Sequence, residues 1–97
     1  MVAWGTIDRA SLAIEGPFTT VATSKGVERG FCRQCGSSLT YANELRAHEI
    51  DVTLASLDDP ARVAPIAHIW IADKLPWVSI DDGLSRYRAA YGVDRVG

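Results

Sequence analysis

Apolar and polar side chains alternate most cleanly in "HEIDVTLAS", where Ile50, Val52 and Leu54 interleave with Glu49, Asp51 and Thr53. That period of two predicts a strand with one apolar face and one polar face. "PIAHIWIA" is apolar nearly throughout, the pattern of a strand covered on both sides, and is expected at the centre of the core. Shorter stretches rich in Val, Ile, Thr and aromatics predict further strands at residues 2–8, 12–14, 18–23, 27–31 and 38–41. Turn signals separate them at "EGP", "SKG", "ANE" and "LDDP". Only "GLSRYRAAYG" has helical spacing, with Leu84, Tyr87 and Tyr91 on one side, and it predicts a short C-terminal helix. The chain therefore reads as all-β with one terminal helix.

No repeat, low-complexity tract or linker interrupts the 97 residues, so a single domain over residues 1–97 is expected. A formal net charge of −2 leaves no basic stripe to neutralise phosphates, which argues against nucleic acid and anionic membrane as partners. No apolar run approaches the roughly 18 residues of a membrane span. The start, "MVAWGTIDRASL", lacks the cationic beginning and apolar centre of a signal peptide, and a cytoplasmic location is expected. In that reducing setting two cysteines serve as metal ligands or thiols sooner than as a structural disulfide.

Both cysteines lie in "GFCRQCGSSLTY". A C-x-x-C turn brings two thiolates near one point, and glycine at position 36 suits the backbone conformation that often follows the second cysteine. Zinc favours thiolates in tetrahedral geometry, but a closed structural site takes four ligands. His48 and His68 do not complete a zinc finger. Twelve residues separate Cys35 from His48, as in a finger, yet nineteen separate His48 from His68 where a finger needs about three to five. A redox dithiol wants a helix N-terminus after the motif, and "GSSLTYA" reads as turn and strand. Two unligated thiols are the third alternative. Elsewhere, His68 reads as a hydrogen-bonded core histidine and His48 as a solvated one. Glu49 and Asp51 read as the polar face of a strand, Asp58 and Asp59 as turn formers, and Trp77 as packing over the sheet.

Three stretches, "GVERGFCRQCGSSLTY", "EIDVTLASLDDP" and "HIWIADKLPWVSIDDGLSRY", resemble in order the C-terminal two thirds of the glutathione-dependent formaldehyde-activating enzyme and centromere protein V family. The resemblance implies an Mss4-like folded β-sheet, or β-tent, that binds zinc. It implies a structural zinc held by an early C-x-C pair together with the later C-x-x-C, which corresponds here to Cys32 and Cys35. It also implies a presumed catalytic zinc in a C-x-C-x-x-C segment. Neither upstream motif has a counterpart in this sequence, since both would precede Met1. The expectation is thus an N-terminally incomplete domain, whether a fragment or a metal-less lineage, with half a structural zinc site and no catalytic residue.

The activity ascribed to the complete family is a carbon–sulfur lyase reaction, S-(hydroxymethyl)glutathione synthesis from glutathione and formaldehyde. For this chain the expected function is a zinc-binding domain of that kind, inactive alone, with glutathione or a small thiol adduct as the candidate ligand. The alternatives are a non-catalytic zinc-ribbon-like interaction module and a redox dithiol protein. A homo-oligomer is also expected, because unpaired strand edges and the apolar Ile66, Ile69 and Trp70 call for cover.

Overall fold

The computed structural model describes residues 2–96. The chain divides into two compact units, Met1–Ala64 and Pro65–Gly97. The first is built on five strands, β1 (Trp4–Asp8), β2 (Phe18–Ser24), β3 (Val27–Cys32), β4 (Ser38–Asn43) and β5 (Glu49–Thr53). They form one sheet in the order β1-β5-β4-β3-β2, with every neighbouring pair antiparallel. Lys25 and Gly26 alone link β2 to β3, and Gly26 at φ 73° supplies the left-handed residue such a tight hairpin needs.

Directly paired residues share a sheet face, so the register sorts the side chains. One row across all five strands runs Thr20, Gly30, Thr40, Val52, Gly5. The adjacent rows on this face add Phe18 and Cys32 on one side, and Ala42, Ile50 and Ile7 on the other. Ala42, Ile50, Val52 and Leu54 are the buried apolar residues of the core, joined by buried Thr40 and Thr53. Two glycines in the small-residue row admit larger neighbours. A Cβ on Gly30 would meet the Phe18 ring and Thr40 Oγ1, and one on Gly5 would lie 2.9 Å from Leu54 Cδ2.

The opposite face carries a polar row, Val21, Arg29, Tyr41, Asp51, Thr6. The Arg29 guanidinium stands 4.9 Å from the centre of the Tyr41 ring, and Thr6 Oγ1 donates to Asp51 at 2.7 Å. The alternation in "HEIDVTLAS" therefore has the predicted two-faced outcome over residues 49–52, while Thr53 is buried and donates to the Ser38 carbonyl. The strand ends there because residues 54–56 turn into a 3₁₀ helix.

The second unit holds three short strands, β6 (Ala67–His68), β7 (Ser85–Tyr87) and β8 (Arg95–Val96), in the order β6-β7-β8. β6 and β7 are parallel, β7 and β8 antiparallel. Among the described residues the only helical pieces are 3₁₀ turns of three residues, so the chain is all-β. Among the described residues no helix is long and apolar enough to cross a membrane.

Three local expectations are corrected here. The C-terminal helix is absent: residues 85–87 are a strand, bracketed by Gly83 at φ 78° and Gly92 at φ 82°. Tyr87 and Tyr91 still meet, with ring centres 5.1 Å apart, so side-chain contact at a spacing of four arose without a helix. "PIAHIWIA" is no central strand. Only Ala67–His68 pair, at the edge of the small sheet, while Ile66 is 69% and Trp70 53% exposed. Trp70 adopts φ 54° and sends its N–H to the Ala89 carbonyl, which ends the extended run. Residues 12–14 form no strand either, following a 3₁₀ turn at residues 9–11 and preceding Gly16 and Pro17.

Gly30→Ala should lower unfolding stability by about 2–3 kcal/mol, since the new methyl overpacks a closed site. Adding Phe18→Leu should recover part of the loss by removing one of the two obstructing groups. Urea midpoints of the three chains test both statements.

Candidate functional site

The cysteine pair sits on the β3–β4 hairpin. Cys32 is the last residue of β3 and Ser38 the first of β4, leaving a loop of residues 33–37. Two backbone hydrogen bonds fold that loop into a knuckle, with the Cys32 N–H donating to the Ser37 carbonyl at 2.9 Å and the Gly36 N–H donating to the Cys32 carbonyl at 2.7 Å. The Arg33 N–H donates to the Pro17 carbonyl at 3.2 Å and ties the loop to the residue before β2. Gly36 takes φ 80°, and a Cβ there would meet nothing within 4 Å. Its glycine serves the backbone turn and not packing.

Cys32 is half-buried and Cys35 exposed. Cys35 Sγ and Ser37 Oγ share a hydrogen bond at 3.2 Å. That hydroxyl first, the Ser37 backbone second and the Cys32 thiol third hold the Cys35 thiol below its ordinary value. The knuckle thus favours a thiolate at its tip, as thiolate ligands need.

The residues present do not complete a zinc site. Among the described residues no group of three or more His, Cys, Asp or Glu stands together to hold a metal ion. His48 is exposed beside β5, and His68 is engaged elsewhere, so the Cys2His2 alternative finds no support in the geometry. β4 follows the cysteines where a redox dithiol would have a helix. Cys32 and Cys35 are two free thiols on one turn, with no third His, Cys, Asp or Glu grouped beside them among the described residues.

On the inner face of the sheet lies a half-open groove of about 350 Å³ lined by Leu12, Ile14, Phe18 and Ile50, with Arg9 and Glu28 also in its wall. Phe18 pairs with Cys32 in the β2–β3 ladder, so the thiol belongs to the face that carries the groove. Sequence reasoning missed this feature. Its wall comes from a loop, a hairpin and two separate strands, and no local pattern joins them.

Glu49 and Asp51 lie on the polar face as expected, but they are not simply solvated. Arg46 reaches back from a 3₁₀ turn to Glu49 at 3.1 Å and to Asp51 at 2.9 Å. Hydrogen bonding to Asp51, ahead of the contribution from Glu49, raises the guanidinium further above its ordinary value. Asp51 accepts from both Arg46 nitrogens and from Thr6, so this carboxylate is occupied as a structural tie. In the second unit His68 Nε2 donates to Asp82 Oδ2 at 2.7 Å, and Asp82 Oδ1 accepts the Leu84 N–H at 3.1 Å. The His68 side chain is 18% exposed, a half-buried position where the expectation was a core one.

A family model described as glutathione-dependent formaldehyde-activating enzyme matches residues 2–73. That span includes β1 through β6 and the whole cysteine hairpin. No curated protein and no solved structure matches the chain.

In the reduced, metal-free chain Cys35 should be alkylated before Cys32, because it is the more exposed thiol and hydrogen bonding from Ser37 favours its thiolate. Peptide mass mapping after brief iodoacetamide treatment reads the order. Asp82 is held below the ordinary carboxylate value of 3.8, first by His68 and then by the Leu84 N–H. A depressed carboxylate contributes its stabilisation above the unfolded value and loses it as pH falls through the folded one. His68→Ala should therefore move the Asp82 midpoint upward toward the ordinary value, as followed by carbon-detected NMR titration of the side-chain carboxyl.

Proposed function

The chain belongs to the glutathione-dependent formaldehyde-activating enzyme family, and from that premise we propose that it is a zinc-binding domain whose Cys32–Cys35 hairpin supplies half of a tetrahedral thiolate site. The observation that carries the reading is the knuckle itself, with two thiols on one turn, a left-handed Gly36 and a hydroxyl from Ser37 beside the exposed sulfur. On the same kinship we assign it the Mss4-like β-tent architecture. A cytoplasmic setting fits, because it keeps both thiols reduced.

By family the reaction class is a carbon–sulfur lyase acting on glutathione and formaldehyde. A zinc ion with an open position supplies such chemistry by lowering a thiol's pKa or polarising a carbonyl. Cys32 and Cys35 are the only cysteines in the 97 residues, and the hairpin has no third donor, so no reaction step is assigned to these side chains. Any glutathione or thiol adduct that these residues hold is bound, in this reading, without being turned over.

A second reading, a non-catalytic zinc-ribbon-like interaction module, draws on a different observation. Ile66, Ile69, Trp70, Leu75 and Trp77 are all exposed within twelve residues, Trp77 at 77%. Apolar side chains massed in that way mark surfaces that meet another molecule.

The isolated chain should not accelerate S-(hydroxymethyl)glutathione formation, whether or not zinc is added. Exchange NMR between glutathione and formaldehyde measures the rate, and a zinc-dependent increase would overturn the inactive reading. Zinc retained after gel filtration should fall to background in Cys32→Ser and in Cys35→Ser. Retention in both variants would remove the hairpin from the metal site.

A further inference from the structure

The inner face of the five-stranded sheet carries a charge that its packing does not explain. Glu28 pairs with Ala22 on one side and with Ala42 on the other, which places it on the face of the buried apolar residues. A carboxylate on a half-exposed strand belongs on the polar face or beside a cation. Among the described residues Glu28 forms no ion pair, and neither does Arg9 in the turn after β1. Both are exposed, and both line the half-open groove of about 350 Å³.

A hydroxyl in the same groove also lacks a partner. Thr40 is 4% exposed, lies in the groove wall and holds Oγ1 close over Gly30. The equally buried Thr53 donates to the Ser38 carbonyl, whereas Thr40 Oγ1 makes no hydrogen bond among the described residues. No fully enclosed side-chain oxygen or nitrogen among them is left unpaired, so the Thr40 hydroxyl opens onto the groove. It is satisfied there only by a molecule that enters.

The groove therefore offers a cation and an anion from separate elements, a free hydroxyl, and the apolar side chains Leu12, Ile14, Phe18 and Ile50. Its volume is at the lower end of the roughly 300–1,000 Å³ of small-molecule sites. A matching ligand is small, has apolar side chains, and ends in a carboxylate and an ammonium group. A single amino acid carries both charges on one carbon, whereas two extended residues part them by about 7 Å. We propose that this groove binds an apolar dipeptide, with its carboxylate on Arg9, its ammonium group on Glu28 and its peptide group on the Thr40 hydroxyl. The site is separate from the cysteine hairpin and does not depend on zinc.

The test is an amide NMR titration of the full chain with leucyl-phenylalanine, its N-acetyl form and its C-terminal amide. Saturable shifts confined to the groove wall are expected, and blocking either terminus should weaken binding about fivefold. Glu28→Gln should abolish the effect of acetylation, and Arg9→Gln the effect of amidation. Both side chains are exposed, so neither change disturbs the core. Glutathione, which has no large apolar side chain, should bind about tenfold more weakly than the dipeptide. Cys35→Ser, outside the groove, should bind the dipeptide like the parent chain even where zinc retention is lost. Equal affinity for the three peptides, an absence of saturable shifts, or shifts centred on the cysteine hairpin would each overturn the proposal.

Discussion

Gly30 has no side chain, and the larger of the two sheets depends on that. It lies at the middle of β3, in the row that crosses all five strands, with Thr40 on one side and the Phe18 ring closing from the other. Any Cβ there would occupy space those groups already fill. Because the position is empty, Phe18 can fold over β3 beside the buried Thr40. Close packing of that kind leaves no room for one extra methyl. Gly5 repeats the device under Leu54 at the far side of the sheet.

The cysteine knuckle inherits its position from this packing. Two residues beyond Gly30, Cys32 ends the strand on the same face, paired with Phe18. The loop is then fastened at both ends by backbone hydrogen bonds, through Cys32 to Ser37 and through Arg33 to Pro17. Only its tip is left free. Two thiols on such a tip have fixed positions and open approach. The polar face is secured differently, by Arg46 gripping Asp51 with two nitrogens and Glu49 with one. A planar guanidinium can join a turn to a strand in that way without burying a charge.

The second unit is held by less regular means. Its strands are two or three residues long, and the loop around residue 82 is joined to β6 by the His68–Asp82 hydrogen bond. Trp70 and Asp94 both take positive φ, at 54° and 55°, conformations that L side chains adopt at some cost. Extended backbone cannot run far between such residues, which accounts for an apolar segment that forms only a two-residue strand.

Much of the first unit was legible in the linear chain. Alternation marked "HEIDVTLAS", the β-branched stretches marked residues 18–23 and 27–31, glycine marked the hairpin turns, and the C-x-x-C-G pattern marked the knuckle. All of these are local: a strand's two faces, or a turn's positive φ, are written within a few adjacent residues. Family kinship was legible for the same reason, since its motifs are short and ordered. The tertiary structure alone decided that Gly30 lies beneath Phe18, that Arg46 rather than water meets Asp51, and that Leu12 and Ile14 line a groove instead of forming a strand. It also turned the helically spaced tyrosines and the apolar "PIAHIWIA" into turns and strand ends. Hydrophobic spacing states which side chains avoid water and not which backbone carries them. That choice was made by distant hydrogen-bond partners, such as Ala89 for Trp70 and Asp82 for His68, which no short window of the chain contains.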